Sequence, residues 1–227
     1  MFMQTLPNVS SYPESTAVGS GTISVFVTNL GKYNEGELVG EWLALPTTPE
    51  QVKQCFQRIG IDGINYDEYF LTDYESTVYG VSNYISEHSN LDELNFLACK
   101  LNELSHDEME IYEAVIDVGD YVNSITDLIN LSDNLDCFQS LSNISDEYDL
   151  GFYWIAESGC YSLKELGNLS NYFDYERYGH DIAFEQSGTF YSGNYIYYTG
   201  ESFSSDYDGK SIPEEYCVLT EPNDFDD

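Results

Sequence analysis

Carboxylates are the side chains with which this chain could do chemistry. No lysine or arginine occurs between Lys100 and Lys164, and the stretch from Leu101 to Ile129 holds Glu103, Asp107, Glu108, Glu110, Glu113, Asp117, Asp120 and Asp127. On a helix rising about 1.5 Å per residue, acids three and four positions apart stand about 4.5–6 Å apart along the axis. Duplex DNA carries phosphates about 3.4 Å apart along each strand. The two ladders have similar pitch, so groups that bind phosphate could read one as the other. Like charges at this spacing cost a helix roughly 0.2–0.5 kcal/mol per pair, so helix stability does not account for the pattern. Acids also line ordinary solvated helix faces, but those faces mix both signs.

Other chemistries find little support. The three histidines, His88, His106 and His180, form no HExxH and no close pair, which argues against a metal or general-base role. Asp206-Tyr-Asp208-Gly209 resembles the opening of a calcium loop, but Lys210 and Cys217 stand where oxygen ligands are needed. With 41 acids, close pairs arise by chance, so a glycosidase pair is not implied. No P-loop, GxGxxG or GxSxG elbow occurs. The expectation is therefore no catalytic residue, no cofactor and no metal. Cys55, Cys99, Cys137, Cys160 and Cys217 are scattered, odd in number and form no CxxC pair, and they read as small apolar core residues of a reducing compartment rather than as a disulfide set or a zinc site.

Three stretches must position the acids. Ser105 followed by Glu108 is a capping box, so a helix begins near His106, and Gly119 closes it. Ile111, Val115 and Val118 predict its buried stripe, with Glu103, Asp107, Glu110, Glu113 and Asp117 on a nearly pure anionic face about half a turn away. Before it, Asn90-Leu-Asp-Glu93 opens an amphipathic helix through Leu91, Leu94, Leu97, Leu101 and Leu104. After it, Ser124 to Leu131 forms a short helix. These read as antiparallel neighbours joined by short turns.

Ahead of this central segment, Ile23, Val25 and Val27 alternate as a strand, and GKYNEGELVG reads as a turn. Trp42 to Leu45 form a second strand stopped by Pro46. Thr48-Pro49-Glu50-Gln51 caps a helix with Val52, Phe56 and Ile59 inside and Gly60 at its end, and Tyr69 to Leu71 form a third strand. Beyond residue 137 the aromatic run Phe152 to Ile155 reads as a strand. Ser162-Leu-Lys-Glu165 caps a helix through Leu166 and Leu169, and Gly193 turns the chain into a strand at Asn194 to Ile196.

The fold class is thus α+β, an elongated chain of three small modules: β-β-α-β over 22–77, a central acidic helical module over 78–135, and a C-terminal α+β module over 136–200. Residues 1–21 read as a disordered leader and 201–227 as an acidic tail.

The formal charge is −34, from 41 acids against 7 bases. That equals the charge of about 58 Å of duplex DNA. A chain so acidic is not a direct nucleic-acid binder, and it fits a basic partner such as a DNA-binding protein. No segment has the roughly 18 uninterrupted apolar residues of a membrane span, and the N-terminus has no signal-peptide pattern, so a cytoplasmic location is expected.

Several stretches together resemble the ArdA antirestriction family: YNEGELVGEWLALP at 33–46, EYFLTDYE at 68–75, NLDELNFLACKL at 90–101 and YFDYERYGHDIAFE at 172–185. DLGFYWI at 149–155 and GTFYSGNYI at 188–196 extend the likeness, which runs over about 23–198. The resemblance implies a homodimeric, non-enzymatic protein of a bacterial host cell, encoded on a mobile element. It implies an acidic surface that imitates bent B-form DNA and blocks the methyltransferase core and specificity subunit of type I restriction–modification enzymes. The family's antirestriction motif corresponds to 101–117, within the acidic stretch. His180 stands where the family's YGRDI motif carries arginine, and the leader and tail exceed the usual family length. The partner-binding residues expected on this basis are Glu103, Asp107, Glu108, Glu110, Glu113, Asp117 and Asp120. The alternative is an acidic interaction protein that blocks another DNA-binding or DNA-dependent defence protein.

Overall fold

A computed structural model describes residues 21–161 and 167–219. The fold is mixed α+β, with two three-stranded antiparallel sheets. The first has the order β2-β1-β3, from β1 (Ile23–Asn29), β2 (Gly40–Leu45) and β3 (Tyr69–Ser76). β1 is central, and Ile23, Val25 and Val27 are fully buried, as their alternation predicts. Thr28 is equally buried, and its hydroxyl pairs with that of Thr72 at 2.7 Å.

The expected turn after β1 contains a short helix, α1 (Leu30–Asn34). Asn29 makes it: its Oδ1 accepts from Lys32 N at 3.0 Å while its Nδ2 donates to the Ile59 carbonyl at 3.1 Å. The second helix, α2 (Pro49–Ile59), starts and stops where its sequence requires, with a Thr48/Gln51 capping box and Gly60 in the left-handed conformation. Val52, Cys55, Phe56 and Ile59 face the sheet.

The central segment forms α3 (Leu91–Glu103), α4 (His106–Val118) and α5 (Ile125–Ser132), capped by Asn90, Ser105 and Ser124. Their arrangement differs from a row of antiparallel neighbours. α3 packs on α5, whereas α4 packs mainly against the second sheet. That sheet has the order β4-β6-β5, from β4 (Phe138–Ser142), β5 (Thr189–Tyr191) and β6 (Asn194–Tyr198). The buried side of α4 is accordingly Tyr112, Ala114, Val115 and Ile116. Of the three residues expected inside, only Val115 is buried; Ile111 is half-buried and Val118 is exposed. A helix held by two neighbours buries a wider arc than one stripe, and Tyr112 anchors it by donating to the Leu128 carbonyl at 3.1 Å.

The aromatic run at 152–155 is helical, which corrects the expected strand. It continues α6 (Glu147–Phe152) as a π-helical turn, Tyr153–Glu157. Asp146 caps α6 by accepting from Asp149 N at 2.9 Å. α6 crosses α7 (Tyr175–Gln186) with backbones in contact: a Cβ on Gly179 would lie 1.7 Å from the Glu147 carbonyl oxygen, and one on Gly151 1.9 Å from that of Tyr175. The helix expected from Ser162 begins outside the described residues; a 3-10 turn covers Gly167–Tyr172. Residues 1–20 of the expected leader and 220–227 of the expected tail also lie outside them.

Residues 199–219 do not trail from the fold as a tail. They cross α3 and α5, burying Tyr207 and Val218. One hydrophobic cluster runs from the first sheet through α3, α4 and α5 to Phe138, Ile196, Tyr207 and Val218. A smaller one joins Leu141, Ile144, Leu150 and Tyr195. Among the described residues no helix is long and apolar enough to cross a membrane.

Candidate functional site

The acidic residues singled out in the sequence gather on and around α4, but they divide into two sets. Glu103 at the end of α3, Asp107 and Glu108 in the first turn of α4, Asp117 in its last turn and Asp120 just beyond it are exposed. Glu110 and Glu113 are not fully free. Glu110 accepts from Asn194 Nδ2 at 2.8 Å. Glu113 accepts from the Tyr191 hydroxyl at 3.1 Å and from the Tyr79 backbone N–H at 2.9 Å. These two carboxylates tie α4 to the β5–β6 hairpin and to the turn at Tyr79.

Local chemistry fixes the helix start. Ser105 N and Oγ both donate to Glu108 Oε2, at 2.8 and 2.7 Å. These bonds, the hydroxyl's foremost, hold the Glu108 carboxyl below its ordinary value of 4.5. The capping contribution is therefore complete above that value and is lost as pH falls through the lower folded pKa. The macrodipole also favours Asp107 and Glu108 in the first turn. Asp117 lies at the opposite end, where the dipole opposes it and no basic residue stands in the last turn. Asp117, next to the Tyr79 hydroxyl, raises the tyrosine's pKa by favouring its protonated form.

Two further acidic concavities were not singled out in the sequence, because their members are far apart in the chain. A cleft of about 430 Å³ is lined by Asp67, Glu68, Glu87 and His88, among others. A groove of about 320 Å³ between α6 and α7 is lined by Glu147, Asp174, Glu176, Arg177 and His180. His88, His106 and His180 have exposed side chains, with His180 Nδ1 3.8 Å from Glu147. Asp208, in the stretch that resembles the opening of a calcium loop, closes its own turn by accepting from Lys210 N and Ser211 N, both at 2.8 Å. Among the described residues, no group of three or more His, Cys, Asp or Glu could hold a metal ion.

The bases are partly engaged elsewhere. Arg58 forks Glu41 at 2.7 and 2.8 Å, and Lys100 reaches Asp133 at 2.7 Å. Fold and site together define an acidic α+β protein whose distinguishing surface is a set of carboxylates held on capped helices. The family model for the antirestriction protein ArdA matches residues 25–197, and the chain belongs to that family. No curated protein matches it.

Proposed function

We propose that this antirestriction protein acts without catalysis, as a mimic of B-form DNA that occupies the DNA-binding cleft of a type I restriction–modification enzyme. The contact is with the methyltransferase core and its specificity subunit, and it takes place in the cytoplasm of a bacterial host. The observation that carries this reading is the exposed set Glu103, Asp107, Glu108, Asp117 and Asp120, displayed around one helix within a chain of net charge −34. Carboxylates on a folded helix keep a fixed spacing, which groups that bind phosphate require. Glu110 and Glu113 belong to the same face and contribute their charge while tethering the helix.

The active form proposed is an elongated homodimer of modules 22–77, 78–135 and 136–200. Support for self-association comes from exposed aromatic side chains in the last module, where Tyr172 is 86% and Phe184 81% accessible. Sedimentation as a 25.8 kDa monomer at micromolar concentration would oppose the dimer without touching the mimicry.

Competition with duplex DNA for the methyltransferase core tests the mimicry. Affinity should fall steeply between about 50 and 200 mM salt, as for contacts with phosphate. An affinity unchanged over that range would refute electrostatic mimicry.

A further inference from the structure

Residues 199–219 lie beyond the family match, and the way they are held has a logic of its own. Thr199 is pinned to the residue that precedes β4, its N and Oγ1 both donating to the Cys137 carbonyl at 2.9 Å. Gly200 follows at a φ of 87°, and the chain then crosses the α3/α5 surface.

What grips it is a row of amides and carboxylates aimed at main chain. The Asn134 carboxamide accepts from Ser204 N at 2.6 Å and donates to Ser204 O at 2.7 Å. One turn earlier on α5, Asn130 does the same to Tyr207, at 2.9 and 3.0 Å. On α3, Asn95 Nδ2 donates to Tyr216 O at 2.9 Å, and Asp92 Oδ1 accepts from Val218 N and Leu219 N at 2.6 and 2.8 Å. Between these clamps Phe96 is held by two strap tyrosines, stacked with Tyr216 at 4.3 Å and edge-on to Tyr207 at 5.4 Å. The Tyr207 hydroxyl reaches Glu93 at 3.2 Å.

Asn95, Asn130 and Asn134 are almost completely buried, at 2%, 4% and 4% accessibility. Buried carboxamides need partners. Their remaining contacts return to this chain's own Thr47, Thr126 and Asn130 backbone. The strap's peptide groups complete the set. Pairing with both N–H and C=O of one residue is how an added strand is recognised, with pockets for chosen side chains supplying selectivity.

We propose that α3 and α5 form a binding groove for an extended peptide, and that residues 201–219 of this chain are its ligand, bound in cis. The ligand class is an extended segment gripped by its backbone at two residues three apart, corresponding to Ser204 and Tyr207. A tyrosine at the second of these is followed by another nine residues later and by an aliphatic residue two beyond that. This inference is independent of DNA mimicry.

The test uses the full chain with a protease recognition sequence inserted between Gly200 and Glu201. After cleavage, the segment from 201 onward should co-elute with the body in about 0.3 M salt, where charge repulsion is screened. Refolding the cleaved protein from urea with excess labelled peptide 201–219 should place the label in the groove saturably. The same peptide with an N-methyl group on Tyr207 loses the N–H that Asn130 accepts, and it should bind at least tenfold more weakly. A scrambled peptide of equal charge should not compete. Loss of the cut segment together with no uptake of label overturns the proposal. So does equal binding of the N-methylated or scrambled peptide, and so does retention of the cut segment without any uptake of label on refolding. The peptides are compared on one cleaved protein whose refolding is confirmed by its circular dichroism and cooperative urea melt, so a misfolded body cannot imitate these results.

Discussion

The hydroxyl of Tyr191 donates to Glu113 at 3.1 Å across 78 residues of sequence, and the Tyr79 backbone N–H meets the other oxygen of the same carboxylate at 2.9 Å. Glu113 therefore holds the second sheet and the Tyr79 turn against α4. It differs in kind from Asp107, a neighbour on the same acidic face that is exposed to solvent. Replacing Glu113 with Gln keeps one acceptor oxygen but weakens charge-assisted bonds, a loss of about 1–2 kcal/mol. Replacing Asp107 with Asn should change stability by no more than about 0.5 kcal/mol. Urea melts of the two variants check the difference; equal midpoints would mean that the Glu113 bonds contribute nothing net.

The same contact has a signature in alkali. Burial, followed by the charge of Glu113, pushes the Tyr191 phenol from 10.0 up to about 12, and burial does the same to Tyr195. A raised folded pKa means that the unfolded chain releases these protons first. Stability should be complete below pH 10 and decline as pH rises from 10 towards about 12. Thermal melts across this range, with tyrosinate absorbance followed in parallel, should show a shallower decline for Tyr191→Phe than for the parent chain.

Gly179 touches the backbone of α6, where even a methyl group has no room: its Cβ would lie 1.7 Å from the Glu147 carbonyl. Gly179→Ala should force α6 and α7 apart and lower the melting temperature. Gly119→Ala is a useful contrast, because a Cβ there meets nothing within 4 Å and only the left-handed φ of 79° is strained. The second change should cost about 1 kcal/mol, the first clearly more. A milder effect at Gly179 than at Gly119 would contradict the helix crossing.

Positional mimicry can be separated from bulk charge by two quadruple neutralisations. One changes Glu103 and Asp107 with Asp117 and Asp120, the exposed acids around α4. The other changes Glu37, Asp67, Glu68 and Glu75, which are exposed around the first sheet. Each becomes the isosteric amide, so net charge changes equally and shape is kept. Inhibition of a type I enzyme should fall at least tenfold more for the first set, with circular dichroism confirming both folds. Equal losses would leave bulk charge as the only cause.

How much could be read without the structure differs from element to element. Thr48/Gln51 and Ser105/Glu108 set the starts of α2 and α4, and Gly60 and Gly119 their ends, because a cap is a contact between residues three or four apart. The acidic stretch on α4 and the likeness to the antirestriction family were legible for the same reason: both are properties of contiguous sequence. The helix at Phe152 to Ile155 was not. A run of four apolar residues has no period to measure, and the informative signal was the Asp146/Asp149 cap ahead of it.

Tertiary structure alone decided which carboxylates stay free. Glu110 and Glu113 look identical to Asp107 in spacing, yet Asn194 and Tyr191 claim them from a hairpin about eighty residues away. Nor does composition distinguish a loose acidic tail from a strap. Residues 199–219 are ordered by buried asparagines on α3, on α5 and just beyond its end, which sequence periodicity counts merely as polar. Local hydrogen bonds are dictated by neighbours along the chain, whereas these partners exist only once hydrophobic packing has brought distant segments together.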